Sequence, residues 1–166
     1  MPGLSRVAAL WDPTTGASQV TQTESAAQSM HIKLQVLEVR RSEDLVVAFE
    51  MAKRAQAEAV DVFSSPFLAS LYSEIIDLAS GYRLPAIYQW KEHAEAGGLL
   101  SYGPSLARMW WQTGQIVAKV VRGANPAELP VEQPTKFELV INLKTAKAMG
   151  LKIPESFLVR ADKVIE

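Results

Sequence analysis

The run Arg6-Val7-Ala8-Ala9-Leu10-Trp11-Asp12-Pro13-Thr14-Thr15-Gly16, with the segment Ser18 to Met30 behind it, decides the fold. Its first six residues are an apolar segment of strand length, and Asp12-Pro13-Thr14-Thr15-Gly16 supplies the residue types that stop a strand and open a turn. Ser18 to Met30 then reads as a helix with a polar outer face. Strand, loop and helix in that order begin a parallel α/β unit.

The pattern repeats along the chain. Lys33 to Val39 alternates, with Leu34, Val36 or Leu37 turned inward, and Ser42 is placed to cap a helix from Glu43 to about Gln56 that carries Leu45, Val46, Phe49 and Met51. Ala59 to Phe63 is a third strand, which Ser64-Ser65-Pro66 breaks. Leu68 to Ser80 has helical spacing and Gly81 as its predicted C-cap, and Pro85 to Tyr88 is a fourth strand. Strands joined by helices of this length predict right-handed crossovers and a mostly parallel, flavodoxin-like α/β sheet with helices on both faces. In the order 2-1-3-4 the topological switch lies between strands one and three, so a ligand is expected at the loops Asp12 to Ser18 and Ser64 to Phe67. Hydroxyls and backbone amides at helix N-termini there suit a carboxylate or other small anion.

Composition narrows the function. With 166 residues, 48% of them apolar, the chain can bury a core of ordinary domain size. Its 17 basic and 18 acidic residues give a net charge of -1 without a basic field, so no nucleic-acid partner is predicted. The absence of cysteine removes thiolate chemistry and Cys-based zinc sites, and two histidines leave little for a metal; no cofactor is predicted. No apolar run approaches the roughly 18–20 residues of a spanning helix, and Met-Pro-Gly-Leu-Ser-Arg lacks the apolar core of a signal peptide.

Beyond Tyr88 the pattern changes. Gly97-Gly98 is flexible, and Leu99 to Tyr102 is a brief strand before Gly103-Pro104. From Ser105 to Arg122 a helix carries Leu106, Met109, Trp110, Trp111, Ile116, Val117, Val120 and Val121, more apolar surface than one sheet face covers. The closing stretch Leu129 to Pro154 reads as an extended lead, a strand at Phe137 to Asn142, one or two helical turns ending at Gly150, and a helix with Pro154 at its first position.

Several separate motifs in order resemble a known family: Pro2-Gly3-Leu4-Ser5-Arg6-Val7-Ala8, Arg83-Leu84-Pro85-Ala86-Ile87-Tyr88, Glu95-Ala96-Gly97-Gly98-Leu99-Leu100-Ser101-Tyr102-Gly103, and the stretch from Leu129 to Pro154. Together they resemble the second half of ABC-transporter substrate-binding proteins of the tryptophan/tyrosine type, which are two-lobed periplasmic solute receptors. The resemblance implies a type I periplasmic-binding-protein-like lobe over residues 1–98. Residues 99–166 are then the hinge crossing and the segment that completes a first lobe preceding Pro2. It also implies a small-molecule solute, an ABC permease as partner, and periplasmic location; without a signal peptide, a chain complete as given would be cytoplasmic. The bare apolar helix predicts a homodimer through residues of about 105–142.

Candidate ligand contacts follow from the switch point and this resemblance. Trp11 and Asp12 have two readings: a cleft-lining ring with a polar group for a ligand amine, or a Trp packed on the next loop with Asp starting a turn. Relatives more usually carry Asn at the position of Asp12, so the acid here shifts the expected ligand toward a cation or amine. Thr14 and Ser18 add hydroxyls to the same loop, and Ser64 and Ser65 either bind a ligand carboxylate or cap the next helix. Tyr88, Gln89 and Trp90 are placed to stack on and orient a planar ligand, with core packing the competing reading for Tyr88, and Tyr102 sits at the predicted hinge.

Other clusters carry less. Glu92, His93 and Glu95 lack zinc-helix spacing and read as a solvated face, and His31 reads as a helix C-terminal cap. Trp110-Trp111 reads as interface, Lys144-Thr145 lacks a phosphate loop, and Arg160, Asp162 and Lys163 read as helix-surface charge. No nucleophile elbow, catalytic triad order or paired carboxylates appear, so catalysis is not expected, and the resemblance implies non-catalytic binding of a metabolite such as an amino acid or an aromatic or carboxylated compound. The alternative is a truncated half-receptor that forms a structural or sensory homodimer.

Overall fold

When a chain of parallel strands reverses its direction of travel across a sheet, right-handed crossovers put the helices before and after the reversal on opposite faces. The computed structural model, which describes residues 3–166, is built this way. Its strands are β1 (Arg6–Trp11), β2 (Lys33–Glu38), β3 (Ala59–Val62), β4 (Ala86–Tyr88), β5 (Leu100–Pro104), β6 (Phe137–Asn142) and β7 (Lys163–Ile165). They form one sheet in the order β2-β1-β3-β4-β5-β6-β7, with every pair parallel except β5 with β6. The chain steps from β1 outward to β2 and back across to β3, which puts the switch point between β1 and β3.

The reversal sorts the helices. α1 (Ser18–Ser29) takes one face, while α2 (Asp44–Arg54), α3 (Pro66–Ser70), α4 (Tyr72–Gly81) and α5 (Lys91–Glu95) take the other. Ala8 lies beside Val60, Leu10 beside Val62, and Val60 beside Ala86, so one set of alternate residues forms a continuous apolar floor. Leu45 and Phe49 of α2 and Ile75 of α4 close over it, each at most 1% exposed. Here local pattern and tertiary packing agree.

Several local expectations are corrected. Ser42 does not cap α2 through its side chain; the Asp44 carboxylate accepts from the amides of Arg40 and Arg41 at 2.9 and 3.0 Å, a stronger anionic acceptor for the same turn. On the edge strand β2, Leu37 faces the core, with Val39 just beyond it, and Leu34 and Val36 are only half-buried. The single helix expected from Leu68 to Ser80 is broken at Leu71 into α3 and α4, and the left-handed residue after it is Arg83 (φ 52°), not Gly81. Pro154 is the N-cap of the short helix Glu155–Leu158, one position ahead of its expected place.

The C-terminal charges do not lie on a helix. Asp162 clasps Leu139, its carboxylate accepting from the Leu139 amide at 2.8 Å and its own amide donating to the Leu139 carbonyl at 2.9 Å. Lys163 pairs with Glu95 at 2.8 Å, and together these contacts seat β7 on β6. The strand from Phe137 is paired with β5 along Phe137 to Ile141 and with β7 at Val140 to Asn142, so its C-terminal half offers no free edge for exchange with another copy. Nor does the sheet break at residue 98, because β5, β6 and β7 extend it. What leaves the sheet is the excursion between β5 and β6.

That excursion is dominated by α6 (Leu106–Val121). No α6 residue is buried, and Trp110, Trp111 and Val121 are 68%, 65% and 81% exposed. A strongly amphipathic helix with its apolar stripe in water is an association surface. The interior of α6 also holds Gly114, where an added Cβ meets nothing within 4 Å.

Two glycine substitutions should separate packing from propensity. At Gly103 a Cβ would collide with the backbone carbonyl of Gln89, so Gly103→Ala is expected to cost about 1–3 kcal/mol in urea denaturation. Gly114→Ala meets open space and removes a flexible residue from a helix, so it should be neutral or stabilise by up to about 1 kcal/mol.

Candidate functional site

The loops after β1 and β3 are joined by a buried polar cluster. Asp12, 3% exposed, accepts from the Thr14 amide at 2.9 Å, the Thr14 hydroxyl at 2.7 Å and the Ser65 hydroxyl at 2.6 Å. Ser65, buried in turn, accepts from the amides of Phe67 and Leu68 at 3.0 and 3.2 Å and so caps α3. Burial acts to raise the Asp12 carboxyl, but the hydrogen bonds from Ser65 and Thr14 outweigh it and hold it below the ordinary value. The stability this gives is present above the ordinary carboxylate range and is lost as pH falls through the lowered value.

A second clasp lies beside it. The Gln19 side chain donates to the Ser64 carbonyl at 2.8 Å and accepts from the Ser64 amide at 2.9 Å, holding α1 to the end of β3. Sequence reading did not single out Gln19. The signal available to it was a polar residue in the first turn of a helix that opens at the switch point.

Next to this clasp a cleft of about 300 Å³ opens on the α1 face of the sheet, lined by Gln19, Gln22, Asp61, Ser64, Gln89 and Tyr102 among others. Alternation along β3 explains Asp61: Val60 and Val62 point into the core, so Asp61 points to the opposite face. Burial pushes the Asp61 carboxyl up to about 6. Among the described residues it has no hydrogen-bond or ion-pair partner. This residue too went unselected in the sequence, where it sat inside an apolar strand; its charge at a period-2 position was the usable signal.

A larger hollow of about 590 Å³ lies on the same face toward the starts of β3 and β4, walled by Leu4, Ile87, Leu100, Leu151, Ile153 and Phe157 with few polar atoms. Size favours that hollow, but it has nothing to orient a polar solute. The smaller cleft combines amides, a hydroxyl, a carboxylate and an aromatic ring, the mixture that fixes ligand orientation.

The expected contacts divide accordingly. Ser64, Tyr102 and Gln89 meet at the cleft, and Tyr102, 56% exposed, stacks on Phe137 with ring centroids 5.7 Å apart. Ser65 and Trp90 line a small crevice behind Ser64 rather than the cleft itself. Tyr88 reaches the cleft wall, but it is 2% exposed and belongs to the core on the far face, where it meets His93 edge-on. The Trp11 indole donates to the Gly16 carbonyl at 3.2 Å and steadies its own loop, while Thr14 and Ser18 are exposed and do not line the cleft. Asp12 has its carboxylate engaged by three donors, which favours the turn-forming reading.

His93 also differs from expectation. It is buried and stacked on Tyr72 with ring centroids 5.1 Å apart, and burial lowers its pKa, so it is a core aromatic rather than part of a solvated face.

Two predictions follow from the carboxylates. Ser65→Ala removes a cap and one donor to Asp12, and is expected to cost about 1–3 kcal/mol in urea denaturation. Asp61 has the opposite pH sign: its raised value favours folding at low pH, and that advantage is lost as pH rises through about 6. In melting curves without solute, Asp61→Asn should match the parent at pH 4 and exceed it by about 1–2 kcal/mol at pH 8.

No curated protein matches the chain. Among solved structures, a conserved domain protein from Vibrio cholerae is similar at 23% identity with a TM-score of 0.91, over 99% of this chain and 56% of that one. An ABC domain in complex with L-Trp from Streptococcus pneumonia is similar at 24% identity and TM-score 0.90, again over 99% and 56%. A ligand-free, open substrate binding protein with adhesive properties from Clostridium difficile gives 16% and 0.72, over 99% and 55%. The chain thus spans a little over half the length of these structures and shares their periplasmic-binding-protein-like α/β fold. The model of the ABC transporter substrate binding protein family matches residues 1–165, and the chain belongs to that family.

Proposed function

We propose that this protein is a non-catalytic solute-binding component of an ABC-type uptake transporter, taking a small metabolite in the cleft beside Asp61 and presenting it to a permease outside the cytoplasm. The family match over residues 1–165 carries this reading. The cleft supports it, because it opens at the loop ends next to the switch point, where open α/β sheets bind ligands. One similar structure holds L-Trp, which makes amino acids and aromatic metabolites the first solutes to try. The sheet acts as one lobe, and the excursion over residues 105–136 meets a second lobe across the cleft, so that closure of the two signals the loaded state.

A second reading is a half-receptor that associates with itself, with weak or no solute binding. The unburied stripe of α6 favours it, because Trp110 and Trp111 would leave water on pairing. Because β7 already covers Val140 to Asn142 of β6, such a dimer would use α6 in preference to that edge.

Thermal-shift screening with amino acids and aromatic metabolites, alongside light scattering, tests both. The first reading expects one solute class to raise the melting temperature through a stabilisation of RT ln(1 + [L]/Kd), which is about 2.7 kcal/mol at a hundredfold excess over Kd. The second expects the mass of two 18.2 kDa chains without solute, reverting to one in Trp110→Glu. A chain that stays monomeric and responds to no solute contradicts both.

A further inference from the structure

We infer that Asp61 is the specificity-determining acceptor of the cleft and selects solutes that carry a protonated amine. The inference rests on the solute-binding reading and adds the ligand's charge to it.

The lining of the cleft is asymmetric in charge. It holds the Asp61 carboxylate and no Lys, Arg or His, its other titratable groups being Tyr88 and Tyr102. Gln19 is spent on the Ser64 backbone, and the Gln22 amide donates to the Ser18 hydroxyl at 3.3 Å. Gln89 lines the same cleft, and its side-chain oxygen is buried with no partner among the described residues. Two acceptors in the cleft wall are therefore unpartnered, one of them charged, and no cation lines the cleft beside them.

An unpaired half-buried carboxylate is costly to the free protein and is relieved by a ligand that brings a positive charge and donors. The upward push of burial on Asp61 is that cost expressed as proton affinity. A primary ammonium answers both acceptors: it supplies three donors and a full charge, enough for Asp61 and Gln89 together. A solute carboxylate would instead meet like charge. A divalent metal is a poorer match, because it needs about six oxygen ligands and the cleft offers one carboxylate. The exposed Tyr102 ring adds a face for the ligand's planar body or for its cation.

Asp12, the acid that the sequence singled out, is a poorer acceptor for such a solute. Both aspartates lie near the switch point, but the Asp12 oxygens are saturated by Ser65 and Thr14. Asp61 faces the cleft unpartnered.

The test is a calorimetric titration with charge-reversed isosteres: tryptamine against indole-3-propionate, and phenethylamine against 3-phenylpropionate. The parent protein should bind the amine of each pair at least tenfold more tightly than the acid, and Asp61→Asn should lose at least tenfold in amine affinity. The comparison on the parent alone is decisive if the variant folds poorly. Equal binding of amine and acid, or amine affinity unchanged in Asp61→Asn, overturns the inference. Binding of only neutral or acidic solutes overturns amine selection and leaves solute binding standing, whereas no heat from any solute in the wider screen overturns both.

Discussion

The hydrogen bond from the Ser65 hydroxyl to the Asp12 carboxylate, 2.6 Å long and buried, is the joint on which the site depends. Two strands that neighbour each other at the switch point end in loops leading to opposite faces of the sheet, and something must hold those loops in register. Ser65 does so with one atom, accepting from the first amides of α3 while donating to the acid that closes β1. The energetic logic is that of a buried charge that is tolerated only because every approach to it is a donor. Once that joint is set, Gln19 can clasp Ser64 and the cleft acquires a fixed wall.

This division of labour separates the two aspartates. A carboxylate that accepts three hydrogen bonds is architectural, and its lowered proton affinity reports that it is content in the fold. A carboxylate that accepts none, on a strand whose neighbours are apolar, stores unfavourable free energy until a partner arrives. The same element type, an aspartate near the end of a parallel strand, thus yields a saturated joint in one case and an unpartnered acid lining a cleft in the other. The difference lies in tertiary neighbours more than in the residue.

That difference marks what could be read without coordinates. The βα alternation through Tyr88 was legible because apolar runs of strand length and helical spacing are local properties, and the order 2-1-3-4, which the sequence offered as the flavodoxin-like case, is the order in the sheet. The antiparallel β6 was legible as a strand, but its pairing on both sides was not, since β7 is only three residues long and Asp162 and Lys163 are as common on helices. Of the site, Ser64, Gln89 and Tyr102 were reachable from the switch-point argument. Gln19 and Asp61 carried only weak local signals, because what distinguishes them from other polar residues is a clasp 45 residues apart in sequence and an absence of partners around a strand residue. The exposure of α6 was anticipated from an apolar pattern too broad for one sheet, and the chain bears this out by leaving the helix unburied.

The most direct test of the account is amide chemical-shift mapping of the labelled protein, titrated with the solute that most raises its melting temperature. The account predicts shifts concentrated at Gln19, Asp61, Ser64, Gln89 and Tyr102, with little change around Leu151 to Phe157 or along α6. Shifts concentrated in the apolar hollow beside Leu151 and Phe157, with the Asp61 cleft silent, would contradict it.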